Sequence, residues 1–268
     1  MNIIPKPNDP NSVNDNFQAF IDLVKLLRKE CPWDKEQTNE SIAHLMIEEV
    51  YETYDAIMNQ NYPEVSKELG DLLLHIVMHS VIAEETNKFS LLDVIQRIHH
   101  KMVSRHPHVF GETEVKDSAD VMNNWENLKK KEGKKTVLEG VPNSLPSLLK
   151  AERIQQKAAR VGFDWENKED VLPKLEEELN EFKVEITNPN GINVEKMTEE
   201  FGDLLFTMVN LGRKYNIVPE NALQIANKKF TNRFNFVEQK VKEQNKNFLD
   251  FNVEELDNFW NEAKKTAK

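Results

Sequence analysis

Apolar residues recur at three- and four-residue spacing along most of the chain, which is the pattern of amphipathic helices. Phe17, Phe20, Ile21, Val24 and Leu27 form one such stripe near the N-terminus. Runs of alternating β-branched residues, which are typical of strands, are scarce. Prolines interrupt the helical pattern at intervals, as expected at helix boundaries. The sequence therefore predicts an all-α protein.

A charged segment near the middle of the chain breaks this pattern. Residues 129–136 read Lys-Lys-Lys-Glu-Gly-Lys-Lys-Thr, and Pro142 and Pro146 follow. Glycine, proline and unpatterned charge are typical of a connection between domains. We predict an N-terminal helical domain over residues 15–132, a linker over residues 133–146 and a C-terminal helical domain over residues 147–268.

The two halves share landmarks at similar spacing, which indicates a diverged internal repeat. The matched pairs are Asp71 with Asp203, Arg105 with Arg233, and Trp125 with Trp260, at offsets of 132, 128 and 135 residues.

Each half also carries the same arrangement of carboxylates. In the second half, residues 177–181 read Glu-Glu-Leu-Asn-Glu and residues 200–203 read Glu-Phe-Gly-Asp. Side chains three or four residues apart share a helix face, so two antiparallel helices would bring these acids together. We predict a metal site at Glu178, Glu181, Glu200 and Asp203, and a candidate second metal site in the first half at Glu49, Glu52, Glu68 and Asp71.

Acids held this close repel one another, and a cation relieves the repulsion. Two carboxylates about 4 Å apart cost about 4 kcal/mol at an effective dielectric constant of about 20. A ligand set made only of oxygen selects Mg²⁺, with Mn²⁺ as a substitute, over zinc, copper or iron. A solvated charged face would explain one such motif, but the recurrence of the whole pattern favours metal binding.

Basic residues flank the acids of the second half. Lys174 and Lys196 each lie one helical turn before an acid, and Lys229 and Arg233 share one face of a later helix. Cations so placed can contact phosphate oxygens, and Mg²⁺ is commonly shared with substrate phosphates. Trp260 either stacks on a base or anchors a terminal helix in the core.

Composition narrows the partners and the compartment. A net charge of -11 disfavours binding to a nucleic-acid polymer. Cys31 is the single cysteine, so there is no intramolecular disulfide and a reducing compartment fits. The first 16 residues are polar and lack the apolar core of a secretory signal. We expect a cytoplasmic protein that does not associate with membranes.

Together with the repeated acid motif, three further segments resemble the MazG nucleoside triphosphate pyrophosphohydrolases: residues 31–38 (Cys-Pro-Trp-Asp-Lys-Glu-Gln-Thr), 105–110 (Arg-His-Pro-His-Val-Phe) and 161–165 (Val-Gly-Phe-Asp-Trp). The resemblance covers roughly residues 17–262. It implies Mg²⁺-dependent hydrolysis of nucleoside triphosphates such as ATP to the monophosphate and pyrophosphate. It also implies helical-bundle domains that form an intertwined homodimer.

The resemblance further implies that the C-terminal domain is catalytic, which leaves the N-terminal domain mainly structural. The first half has Glu64 where the second has Lys196, and this anion would disfavour a triphosphate. Glu177 or Glu178 is expected to accept the proton of the attacking water. The residues expected around the nucleotide are Lys174, Leu175, Glu176, Glu177, Glu178, Lys196, Lys229, Phe230, Thr231, Asn232, Arg233 and Trp260.

Two other interpretations stay open. A helical nucleotide sensor or regulatory protein would bind nucleotides without turnover. An enzyme with the same chemistry could act on a narrower substrate such as dUTP, because no residue pattern identifies the base. A di-iron site around Asp71, His75 and His79 is not favoured, since neither half has the Glu-x-x-His spacing of such sites, and we expect these histidines to pack in a core or a dimer seam.

Overall fold

The computed structural model describes residues 3–117, 120–121, 124, 136–189 and 191–266. These residues form helices and loops, with no β-strand among them, so the all-α prediction is confirmed. The chain divides into two compact parts, unit 1 (Met1–Trp125) and unit 2 (Glu126–Lys268). Trp125 and residues 133–135 of the predicted linker lie outside the described residues. Within the described ranges, no helix has the length and apolar character needed to cross a membrane.

Polar caps and prolines set the helix boundaries of unit 1. The Ser12 side chain accepts a hydrogen bond from the Asp15 backbone N–H at the start of the first helix. Such a cap satisfies an N–H group that has no partner within the helix. Pro32 and Pro63 lie in the first turns of later helices, where their missing N–H costs nothing. The helices are α1 (Val13–Glu30), α2 (Pro32–Glu36), α3 (Ala43–Met58), α4 (Tyr62–Glu85), α5 (Leu91–Arg105) and α6 (Pro107–Phe110).

The core of unit 1 lies where α1 packs against the C-terminal half of α4. Val24 on α1 and Val77 on α4 are fully buried, and Val81 and Ile82 are nearly so. With the buried Met78, the three α4 residues recur at three- and four-residue spacing and form the apolar stripe of an amphipathic helix. The N-terminal half of α4 carries Glu68 and the other acids instead. One helix therefore supplies the core at one end and the candidate site at the other.

Unit 2 uses the same local devices. The Asn193 side chain accepts hydrogen bonds from the backbone N–H groups of Glu195 and Lys196, and Pro219 lies in the first turn of a later helix. Short 3₁₀ turns precede two of the helices. The helices are α7 (Ser147–Ala159), α8 (Val171–Ile186), α9 (Val194–Lys214), α10 (Pro219–Glu243) and α11 (Val253–Thr266).

A buried lysine fastens the segment that precedes α7. Lys157 is 5% exposed, and its ammonium group donates hydrogen bonds to the carbonyl oxygens of Val137 and Glu139, both at 3.1 Å. A buried ammonium needs such partners, because an unpaired one is strongly disfavoured. Residues 137–139 are thereby held against α7.

Each unit contains an acid-bearing hairpin of two long helices in close contact. Helices α3 and α4 are connected by residues 59–61, and α8 and α9 by residues 187–193. In unit 2, the rings of Phe182 and Phe201 meet across the hairpin with centroids 5.4 Å apart. Because consecutive helices in a hairpin run antiparallel, acids near the middle of the first helix face acids near the start of the second.

Val77→Ala should lower the free energy of unfolding of unit 1 by about 2 kcal/mol, because it removes two buried carbons and leaves a cavity. Val13→Ala is the matched control, since Val13 is 83% exposed and its loss should change stability by less than about 0.5 kcal/mol. Urea denaturation followed by circular dichroism measures both. Equal effects for the two variants would contradict the placement of the core.

Candidate functional site

Three carboxylates of unit 2 lie together at the seam between α8 and α9. Glu178 and Glu181 stand one turn apart on α8, and Glu200 lies near the start of α9. Each places an oxygen within 4.8 Å of the oxygens of the other two. The three-residue spacing puts the first two on one helix face, and the hairpin brings the third opposite them. The structure thus groups three of the four acids predicted for this site.

Asp203, the fourth predicted ligand, lies outside this group of three but within electrostatic reach of it. The pKa of Glu200 is raised, first because the site desolvates its carboxylate, and then because Glu181, Asp203, Glu178 and Glu185 repel its negative charge. The site therefore disfavours the ionised form of Glu200, and a cation would reverse that effect.

Glu185 is a fifth acid that the sequence analysis missed. One of its carboxylate oxygens, Oε2, is buried and has no hydrogen-bond partner. It lies four residues after Glu181 and seven after Glu178, so helical spacing alone places it on the same face. In unit 1 the position seven residues after Glu49 is Ala56, so the fifth acid distinguishes the two units.

Lys174 pairs with Glu177 and with Glu178, the first acid of the group. Its ammonium group pairs with Glu177 at 3.0 Å and with the buried Glu178 at 2.8 Å. The hydrogen bonds that the ammonium group donates to Glu178 and, with a smaller effect, to Glu177 raise the pKa of Lys174. Glu177 keeps 56% of its side chain exposed, whereas Glu178 keeps 7%. The lysine predicted to contact phosphate therefore also neutralises the most buried acid of the site.

Unit 1 groups its acids in a similar way. Glu49 on α3 and Glu68 and Asp71 on α4 place one oxygen each within 4.8 Å of one another. The pKa of Glu49 is raised, mainly by desolvation and then by repulsion from Asp71, Glu52 and Glu68. Glu52, the fourth predicted ligand, thus acts on the group through its charge without being part of it.

The most buried acid of unit 1 is Glu68, which is 2% exposed. Its Oε1 accepts a hydrogen bond from Lys67 at 2.8 Å, while its Oε2 is buried without a partner. Lys67 also pairs with Glu64 at 2.9 Å. Glu64, which stands in the first half where the second half has Lys196, is therefore neutralised by a neighbouring lysine.

The remaining residues predicted to surround the nucleotide lie at several places in unit 2. Leu175 is half-buried and Glu176 is exposed on α8, and Lys196 is exposed in the first turn of α9. Five more of these residues belong to α10. Four of them are exposed and Arg233 is half-buried; the exposed ones are Lys229, Phe230, Thr231 and Asn232.

Trp260 joins α11 to α10. Its ring lies 5.2 Å from the ring of Phe230, centroid to centroid, and the Arg233 guanidinium lies over it at 5.8 Å. Of the two roles that the sequence left open, these contacts favour the anchor of the terminal helix. The Nε atom of Arg233 is buried and has no hydrogen-bond partner, so the arginine keeps a donor for a further ligand.

His75 and His79 pack within unit 1, as expected from the sequence. Their rings lie 6.0 Å apart, and Nδ1 of His79 lies 2.7 Å from Oδ1 of Asn39. Burial lowers the pKa of both histidines. Neither belongs to a group of metal-ligating side chains among the described residues.

Comparison with known proteins shows similarity along most of the chain. A family model described as the MazG nucleotide pyrophosphohydrolase domain matches residues 37–110, a range that contains the α3–α4 hairpin. The chain is 40% identical, over 92% of its length, to 95% of the nucleoside triphosphate pyrophosphohydrolase/pyrophosphatase MazG of Thermotoga maritima. It is 38% identical, over 94% of its length, to 97% of the nucleoside triphosphate pyrophosphohydrolase of Escherichia coli. It is also 42% identical, over 99% of its length, to 55% of the uncharacterized protein YabN of Bacillus subtilis.

Glu200→Gln should raise the melting temperature of the metal-free protein at pH 7, because it removes a charge that the folded site disfavours. Because the pKa of Glu200 is raised in the folded protein, this residue lowers the free energy of unfolding of the wild type as the pH rises through that pKa. The gain in the variant should therefore vanish below about pH 4, where the unfolded carboxylate is also protonated.

Calorimetry in a chelator between pH 3.5 and pH 8 measures this gain. The control is Glu199→Gln, which removes the charge of an exposed neighbour outside the group of three. A gain that is equal for the two variants, or that persists at the lowest pH, would contradict the repulsion at Glu200.

Proposed function

The chain belongs to the MazG family of nucleoside triphosphate pyrophosphohydrolases, and from that membership we propose that it hydrolyses nucleoside triphosphates between the α and β phosphorus atoms, giving the monophosphate and pyrophosphate. The observation that carries the proposal is the group formed by Glu178, Glu181 and Glu200, whose oxygens lie within 4.8 Å of one another. The resulting role is the clearance or regulation of nucleotide pools.

The donor atoms of the site fit a divalent metal ion. Every ligand that the hairpin offers is a carboxylate oxygen, which is the donor that Mg²⁺ and Mn²⁺ prefer. Desolvation and then repulsion by neighbouring carboxylates raise the pKa of Glu200, and Oε2 of Glu185 is buried without a partner, so a cation would stabilise both acids. Mg²⁺ held by Glu178, Glu181, Glu200 and Asp203 would supply Lewis-acid polarisation of the phosphate and of a bound water.

The residues of the chain itself would bind the triphosphate and move one proton. Lys174, Lys196, Lys229 and Arg233 supply the positive charge that the leaving pyrophosphate needs. Glu177 or Glu178 would take the proton of the attacking water. Glu177 is the more accessible of the two, but both share Lys174, so contact between this lysine and phosphate would leave one of them free to accept a proton.

The two units are proposed to be diverged copies of one domain, with turnover in the second. Both contain an acid-bearing hairpin and a lysine paired with a buried glutamate, Lys67 with Glu68 and Lys174 with Glu178. Unit 1 is proposed to hold a cation as well, because its group has the same donor set and Oε2 of Glu68 has no partner. Its role is mainly structural in this scheme.

A second copy of the chain is proposed to cover an apolar stripe beside each acid group. On α9 and on α4, three apolar side chains spaced four and then three residues apart lie on one face of the helix. Exposed apolar stripes of this kind mark interaction surfaces. The stripes, 38 to 53% exposed in the single chain, consist of Phe201, Leu205 and Met208 on α9 and of Leu69, Leu73 and Ile76 on α4.

Glu181→Ala should lower kcat for pyrophosphate release at least about a hundredfold, because it removes a carboxylate from the centre of the charge-stabilising site. Glu52→Ala is the matched variant in unit 1, since both side chains are exposed, and it should retain activity within about threefold. Pyrophosphate released from a panel of nucleoside triphosphates with Mg²⁺ is the measurement.

Two results would count against the proposal. If Glu52→Ala loses as much activity as Glu181→Ala, the assignment of turnover to unit 2 is wrong. If the wild-type chain binds nucleotides with Mg²⁺ but releases no pyrophosphate from any of them, the chain is a binding protein and the proposed reaction is wrong.

Leu205→Asp should convert the dimer into a monomer, because it places a charge at the centre of the covered stripe. Leu249→Asp is the control, since Leu249 is 97% exposed and lies outside both stripes. Sedimentation equilibrium measures the mass of each variant. A wild-type chain that sediments as a monomer at micromolar concentration would contradict the proposed dimer.

A further inference from the structure

Unit 2 contains a cavity of about 390 Å³ on the side of α9 that contacts α7. Its volume is within the range of small-molecule sites. The walls are mainly apolar, with Leu138, Ile154 and Phe206 among them. Two aromatic side chains, Phe163 and Trp165, belong to the Val-Gly-Phe-Asp-Trp segment and also line it. Phe163 is 82% exposed, so the cavity is accessible from one side.

A buried amide in the wall lacks a partner for its oxygen. Gln155 is 6% exposed, and its Nε2 donates a hydrogen bond to the Phe206 carbonyl oxygen at 2.8 Å. Its Oε1 is buried and accepts no hydrogen bond. Because a buried polar atom without a partner is costly, a ligand that supplied an N–H or O–H donor to this oxygen would remove that cost.

Arg213 supplies the complementary donor. Its terminal nitrogens are occupied by Asp164, at 3.0 and 2.6 Å, and by the Asn210 side chain at 2.6 Å. Its Nε is buried and has no partner. Gln155 and Arg213 therefore both line a mainly apolar cavity, and each has one buried polar atom without a partner, an acceptor in Gln155 and a donor in Arg213.

The charges around Arg213 disfavour phosphate as the sole ligand. Asp164 pairs with both Arg213 and Lys214, at 2.6 and 3.0 Å. Burial alone would raise the pKa of Asp164, but the hydrogen bonds and the positive charges of these two cations together outweigh burial and lower it. The ionised carboxylate thus occupies the fork of the guanidinium that would otherwise bind phosphate oxygens in a bidentate manner.

We propose that this cavity binds a nucleobase. A base is planar, has faces that stack on aromatic rings such as Phe163 and Trp165, and has an edge that offers both a donor and an acceptor. These are the complements of Gln155 Oε1 and Arg213 Nε. The base reaches the cavity either as part of the substrate or as a separate nucleoside or nucleotide.

The position of the cavity on α9 is compatible with either source. Asn210 follows Asp203 by seven residues, which is two helical turns on the same face and about 10 Å along the axis. If the base belongs to the substrate, the inference rests on the proposed function and makes the cavity its base-reading part. If it belongs to a separate molecule, the cavity is a regulatory site in the same unit.

The test is direct binding of adenosine, guanosine, cytidine and uridine to the full chain by isothermal titration calorimetry. At least one nucleoside should bind, and ribose 5-phosphate, which lacks a base, should not compete with it. Gln155→Met should weaken that binding about threefold to tenfold through the lost acceptor. Phe163→Ala should weaken it about tenfold through lost stacking.

The matched control is Gln156→Met, since Gln156 is the neighbouring glutamine and its amide is already paired with Glu152 and Arg153. It should leave nucleoside binding within twofold of wild type. Circular dichroism checks that each variant is folded. Absence of binding by all four nucleosides, or equal affinity in Gln155→Met and Gln156→Met, would overturn the inference.

Steady-state kinetics then separate the two sources. If the base belongs to the substrate, the nucleoside competes with the triphosphate. Gln155→Met then raises the KM for the triphosphate by the same factor by which it weakens nucleoside binding. If a separate molecule binds there, the nucleoside does not compete and KM is unchanged. Nucleoside binding needs no turnover, so a chain that binds nucleosides but releases no pyrophosphate overturns the proposed reaction and leaves the nucleobase cavity standing.

Discussion

Repulsion between carboxylates at the seam of a helical hairpin is the constraint around which both units are arranged. Two such charges about 4 Å apart cost about 4 kcal/mol at an effective dielectric constant of about 20, whereas a whole domain is stable by only about 5–15 kcal/mol. Apolar packing elsewhere on the same helices, such as the fully buried Val77 on α4, must offset this cost. In the folded chain, desolvation and then repulsion by neighbouring carboxylates raise the pKa of Glu49 and of Glu200.

The two units relieve this repulsion on different helices. In unit 1 the most buried acid is Glu68, on the second helix of the hairpin, whereas in unit 2 it is Glu178, on the first. A lysine from the same helix accompanies each of them. Unit 2 adds Glu185, so it concentrates more negative charge at its seam. This excess of negative charge supports the proposal that turnover takes place in unit 2.

Helical spacing was enough to predict part of the candidate site. Glu178 and Glu181 share a face in any helix, and Glu200 faces them once the chain turns back. The same spacing would have found Glu185, had the acid motif been extended by one turn. It could not tell that Lys174 is paired with Glu177 and Glu178, nor that Trp260 contacts Phe230, because side-chain partners depend on rotamers and on neighbouring helices.

By itself, the sequence determined the helical class, the repeated acids and their oxygen-only chemistry, because these follow from periodicity and residue type. Only the tertiary structure decided which acids meet, since a separation of 4.8 Å depends on how the two helices of a hairpin pack. It alone left Gln155 and Arg213 with unpartnered atoms at one cavity, because they lie 58 residues apart in the chain. Burial and partner choice are properties of the packed chain, and no local pattern of residues specifies them.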